Sequence, residues 1–105
     1  MTESDLWRLT ASEAVGLLKR REVSPLELID AAAARIEATD GVINAMPTLC
    51  LERARDHARR ILNEDGDSLL AGLPIAVKDL EDVAGVRTTY GSPIYQDHVP
   101  TRSNI

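Results

Sequence analysis

The segment LPIAVKDL, residues 73–80, most constrains what this chain can become. Pro74-Ile75-Ala76-Val77 reads as a strand, and its pleat sets Ile75, Val77 and Asp79 on one face and Ala76, Lys78 and Leu80 on the other. Neither face is a clean solvent face. A strand apolar on both sides calls for sheet neighbours and for cover above and below. This one ends on an ammonium group, Lys78. Burial disfavours the charged form of a lysine, and a partly desolvated lysine can serve as a general base. The alternative is that Lys78 and Asp79 only mark where the strand emerges into water. Sites in α/β sheets gather beyond the carboxyl ends of strands, so the position suits both readings.

The residues before this strand read as helices. Thr10-Ala11-Ser12-Glu13 fits a capping box, followed by the apolar stripe Ala14, Leu17, Leu18 and the bases Lys19-Arg20-Arg21 near the negative end of the dipole. Ser24-Pro25-Leu26-Glu27 combines an N-cap serine, a first-turn proline and a glutamate three residues on. Val23 and Leu28 stand at hydrophobic-staple positions, Leu26, Ile29, Ala33 and Ile36 share a face, and Gly41 is the expected stop. A short extended stretch over 44–49 follows. Leu51, Ala54, Ala58 and Ile61 then predict a third helix over 51–63, and residues 63–68, NEDGDS, predict a polar turn. The remainder reads as strand, turn and loop. The predicted fold class is therefore α/β. Helices, up to about residue 66, lead into the first strand or strands of a larger α/β domain. The 105 residues are expected to form a single partial domain, because few candidate strands are at hand to pair with 74–77.

The composition narrows the function. The chain has no Phe, one Trp and two Tyr, so its core is aliphatic, and a net charge of −5 argues against nucleic acid as the main partner. No apolar run approaches the roughly 20 residues that span a bilayer, and the N-terminus has no apolar signal region. The single Cys50 excludes an internal disulfide. These features predict a cytoplasmic protein with no membrane partner. No metal-ligand spacing is present.

Residues 70–92, LAGLPIAVKDLEDVAGVRTTYGS, resemble the lysine segment of the amidase signature family. There, a strand ending in Lys-Asp leads into a Gly-Val-x-Thr-Thr-x-Gly-Ser loop. The match holds at Gly72, Leu73, Pro74, Ala76, Val77, Lys78, Asp79, Gly85, Val86, Thr88, Thr89, Gly91 and Ser92. The upstream SPLELIDAAAARIE and INAMPTLCLERAR resemble the family's N-terminal helices, so the likeness covers nearly the whole chain. It implies a mixed β-sheet sandwiched by helices, and a hydrolase with a Ser–cis-Ser–Lys relay acting on a small-molecule carboxamide without metal or cofactor, with Lys78 as the catalytic lysine. The family carries its two serines in a downstream Gly/Ser-rich segment, and no such stretch occurs within these 105 residues. Hence the chain alone is expected to be inactive. Within the family, the alternative is the A subunit of a glutamine-dependent amidotransferase. An alternative of another class is a non-catalytic fragment that homo-oligomerises through an open strand edge.

The other candidates have plainer readings. Ser92 is expected to be a polar loop residue rather than a nucleophile. Thr88 and Thr89 either position the loop near Lys78 or are purely structural. Asp79 steadies either the lysine or the following turn, and Gly85 and Gly91 permit turn geometry. Cys50 is expected to be a buried, inert thiol, because His57 lies about 10 Å further along a helix axis. His57 is expected in solvent and His98 in a late loop. Arg53, Arg55, Arg59 and Arg60 are expected to meet water or the neighbouring Glu52, Asp56 and Glu64.

Overall fold

The computed structural model describes residues 3–64 and 68–104. These fall into two compact units, Met1–Ala45 with Leu51–Pro74 and Met46–Cys50 with Ile75–Ile105. The first unit holds three helices, α1 (Ala11–Lys19), α2 (Pro25–Ile43) and α3 (Leu51–Asn63). A 3-10 turn at Glu3–Arg8, not foreseen in the sequence, precedes them.

Both capping boxes form. Thr10 Oγ1 accepts the Glu13 N–H at 3.2 Å, and Glu13 Oε2 accepts the Thr10 N–H at 2.8 Å. Ser24 Oγ accepts from Glu27 N at 3.1 Å and Glu27 Oε1 from Ser24 N at 3.2 Å, with Pro25 in the first turn. Each box satisfies two helix-start donors that would otherwise lack partners. Gly41, the expected stop, lies inside α2. The helix runs on to Ile43 and ends at Asn44 in the left-handed region, φ 55°. Asp40 explains the extension: its carbonyl accepts the Asn44 N–H and its Oδ1 accepts the Ala45 N–H, both at 2.7 Å. The end is closed by a side chain and an asparagine cap rather than by glycine.

The core of this unit is aliphatic, as its composition requires. Leu6, Ala14, Leu18, Leu28 and Ala31 form the buried cluster, with Leu9, Val23, Ala71 and Leu73 packed against it. Val23 thus meets the cluster that holds its staple partner, Leu28. Ile29 of α2 and Ala58 of α3 are also buried, and α2 packs on both α3 and the 3-10 turn. The buried side of α2 is wider than the predicted stripe, because Pro25, Leu28 and Ala31 join it. Two partners on different sides of one helix need two apolar stripes. Gly72 allows the chain to pass over the start of α2: at φ +94° an added Cβ would lie 2.6 Å from Pro25 Cγ.

The strand predicted over 74–77 forms no ladder, and no sheet occurs among the described residues. Residues 73–78 carry no regular element, and the single β-bridge joins Val83 to Val86. Ile75 is 69% and Val77 52% exposed, and among the described residues no strand pairs with this segment. The expected extended stretch over 44–49 is instead an irregular link bent at Pro47 and Thr48. Part of the predicted NEDGDS turn, and with it the boundary near residue 66, lies outside the described residues. No helix among the described residues is long and apolar enough to cross a membrane.

Two glycines should respond oppositely to substitution. Gly41 is helical with nothing within 4 Å of a built Cβ. Gly41→Ala should therefore stabilise the helical unit by about 0.4–1 kcal/mol, through a less flexible unfolded chain. Gly72→Ala should destabilise it by more than that, because both φ and the Pro25 contact oppose a side chain. Urea unfolding followed by far-ultraviolet circular dichroism reads both effects.

Candidate functional site

The second unit places the lysine motif on a turn tied together by side chains. Lys78 is exposed, and among the described residues no hydrogen bond or ion pair engages its ammonium. Its backbone is held: the Lys78 carbonyl accepts the Glu81 N–H at 3.0 Å, and the Asp79 carbonyl accepts the Tyr90 N–H at 3.0 Å. The described residues do not supply the expected removal of the amine from water.

Asp79 turns away from the lysine towards the loop. Its Oδ1 accepts the Thr89 N–H at 2.8 Å, and its Oδ2 accepts the Thr89 hydroxyl. Of the two roles expected for Asp79, the described contacts show the one directed at the turn. The Thr89 hydroxyl, then its backbone amide, hold the Asp79 carboxyl below the usual carboxylate range; the Arg87 charge adds to this, and desolvation opposes it. Thr89 is 8% and Thr88 2% exposed, so these bonds are shielded from competing water. Thr88 N–H donates to the His98 carbonyl at 3.0 Å. Both threonines therefore organise the loop that follows Lys78.

The rest of the loop closes around this pair. Gly85 and Gly91 take φ values of 79° and 69°, the turn conformations expected of them. Ser92 caps a short 3-10 turn, Pro93–Tyr95, by accepting the Ile94 N–H at 3.3 Å, as a polar loop residue does. Arg87 recruits the 46–50 link: its Nη1 donates to the Pro47 carbonyl and to Thr48 Oγ1, each at 3.3 Å, while its Nε donates to the Gln96 carbonyl.

One cluster escaped the sequence reading. Tyr90 donates its hydroxyl to Asp82 Oδ1 and lies 3.4 Å from His98 Nε2, and that nitrogen is 3.7 Å from Asp82 Oδ1. Tyr95 meets the Tyr90 ring edge-on at 5.0 Å. The hydrogen bond to Asp82, followed by desolvation and the negative charge of Asp82, pushes the Tyr90 phenol up to about 12. Residues 82, 90 and 98 lie in irregular loop, where no helix or strand period operates to point to them. His98 is thus half-buried against Tyr90, not simply a residue of a late loop.

Among the remaining candidates, Arg55 and Arg59 have local partners of their own. Cys50 is exposed rather than buried, because it stands in the irregular link just before α3 and not on an apolar helix face. His57 is exposed, as expected. Arg55 pairs with Glu52 at 2.6 Å and Arg59 with Asp56 at 2.8 Å, as the charge pattern implied. Asp30 at 3.2 Å is a further partner of Arg55. Among the described residues no group of three or more His, Cys, Asp or Glu side chains is placed to hold a metal ion.

The family model described as Amidase matches residues 27–104. The chain belongs to the amidase signature family. Similar curated proteins include the A subunit of glutamyl-tRNA(Gln) amidotransferase from Anaeromyxobacter dehalogenans, 40% identical over 100 residues, which cover 91% of this chain and 20% of that protein. The protein of the same name from Anaplasma phagocytophilum is 41% identical over 103 residues, covering 94% of this chain and 21% of that protein. That from Moorella thermoacetica is 42% identical over 100 residues, covering 91% and 20%. The chain thus spans about a fifth of the length of the curated relatives it matches.

The charges of the loop set its pH limits. Asp79 is held low, so its contribution to folding is present above the ordinary carboxylate pKa and is lost as pH falls through its folded value. Tyr90 is raised from 10.0 to about 12, so its contribution is present below 10 and is lost as pH rises through 12. Tyr90→Phe should abolish the phenol titration near 12 in ultraviolet absorbance and remove that alkaline loss. Loss of a titration step near 10 rather than near 12 would contradict the Tyr90–Asp82 bond.

Proposed function

We propose that this chain is the lysine-bearing segment of the A subunit of a glutamine-dependent amidotransferase, with Lys78 as the proton-relay residue of a Ser–cis-Ser–Lys hydrolytic centre. The observation that carries the proposal is the Lys78–Ser92 motif, held on a pinned turn in a chain 40–42% identical to proteins named as that component. These relatives favour an amidotransferase over a free-standing carboxamide hydrolase, which would use the same lysine. Their names, which describe one part of an assembly, also add protein partners to the small-molecule amide expected from the sequence. With a net charge of −5, this segment leaves contacts to tRNA to other parts of such an assembly.

The chemistry follows from what a lysine next to two serines can do. Lys78 takes a proton from the bridging serine, which takes one from the nucleophilic serine as that oxygen attacks the amide carbonyl. The C–N bond breaks, the proton returns to the departing nitrogen as ammonia leaves, and an acyl-enzyme ester remains. Water then releases the carboxylate, and ammonia is the nitrogen delivered onward. The serines lie in a Gly/Ser-rich segment absent from these 105 residues. In this proposal the residues form the N-terminal part of one amidase domain. Residues 73–78 become a strand of its mixed sheet once neighbours cover Ile75 and Val77.

The proposal is tested by joining this chain to the remaining part of the Moorella thermoacetica relative and assaying glutamine hydrolysis with that relative's own partner subunits. Lys78→Ala should lower turnover by about 10²–10⁴-fold, the usual contribution of a positioned acid–base group, and the 105 residues alone should show no turnover. Full activity in the Lys78→Ala protein would sink the proposal.

A further inference from the structure

Lys78 and Asp79 are chain neighbours of opposite charge, yet the carboxylate is committed elsewhere. Both its oxygens are occupied by one residue, Thr89, through the amide at 2.8 Å and through the hydroxyl. The Thr89 hydroxyl oxygen in turn accepts the Gly91 N–H at 3.3 Å, which orients it towards Asp79. Two backbone bonds complete the clasp, Glu81 N–H to the Lys78 carbonyl and Tyr90 N–H to the Asp79 carbonyl, each 3.0 Å. A carboxylate left unclasped could rotate to pair with the adjacent ammonium and hold the proton on it.

We propose that Asp79 and Thr89 are positioning residues for the Lys78 proton relay. Their clasp fixes the backbone from which the lysine arm projects, and it keeps the neighbouring carboxylate from pairing with the ammonium. The inference rests on the relay reading of Lys78 given above. Two features of the structure support it. The Thr89 side of the clasp is buried, 8% exposed, so its bonds are partly shielded from water. The carboxylate is also held below its usual range by the Thr89 hydroxyl first and its amide second, so it stays charged and clasped into mildly acidic solution.

The two variants that open the clasp have different signatures. Thr89→Val removes the hydroxyl and frees part of a charged carboxylate; Asp79→Asn loosens the turn but leaves no charge beside Lys78. In the fusion with the Moorella thermoacetica relative, both should lower kcat for glutamine hydrolysis by about 10–10²-fold, the cost of misplacing a reacting group by roughly 1 Å. KM should stay within about twofold. Only Thr89→Val should move the rising limb of the pH–rate profile to more alkaline pH, and Thr89→Ser should restore both rate and profile. Amide exchange in the 105-residue chain provides a second measurement independent of catalysis. Thr89→Val should lose protection at Glu81 and Tyr90, with α1–α3 unchanged. The proposal is overturned if Thr89→Val keeps its kcat while Lys78→Ala loses activity, if Thr89→Ser is as impaired as Thr89→Val, or if protection at Glu81 and Tyr90 survives the valine. Full activity in Lys78→Ala would instead remove the relay itself, and the positioning role with it.

Discussion

Asp79 gives both carboxylate oxygens to Thr89, and the architecture of the second unit depends on that choice. The bond joins residues ten apart and closes the loop that runs through Val83, Gly85 and Arg87. Once 79 and 89 are fixed, Tyr90 is delivered to Asp82, and Thr88 to the backbone of His98. A segment with no helix longer than a 3-10 turn and no sheet must satisfy its backbone in this way, through side chains and turns. Hydrogen bonds to the charged Asp79 carboxylate are the strongest of the means at hand.

The first unit rests on a different constraint. Without phenylalanine, its core is made of Leu, Ile, Val and Ala side chains, and helix α2 has to present apolar residues to two neighbours at once. The caps at Thr10 and Ser24 define where the helices start, and the close passage of Gly72 over Pro25 brings the chain back over the start of α2. Leu73 then joins the core, and the lysine motif begins immediately after it.

The sheet expected around residues 74–77 shows how far a pattern can reach. The unbroken apolar run Pro74–Val77 reads as a strand in want of cover, yet no sheet forms among the described residues, and Ile75 and Val77 stand exposed. A ladder is a property of two paired backbones, so no single segment can form one. The same limit explains Lys78: its place at the end of the apolar run was legible, but its surroundings depend on what packs there. The membership in the amidase signature family was legible for another reason. The lysine motif is a run of adjacent residues whose order survives without any knowledge of the fold.

The sequence by itself determined the helices, their capping boxes, the aliphatic character of the core and the position of the lysine motif. These follow from interactions between residues three or four apart, or from the composition as a whole. Tertiary structure alone decided that Asp79 faces Thr89 rather than Lys78, that Arg87 reaches back to Pro47 and Thr48, and that Asp82, Tyr90 and His98 meet. Those contacts join residues eight to forty apart through an irregular loop. Such a loop has no repeating period from which a sequence could disclose which side chains come together.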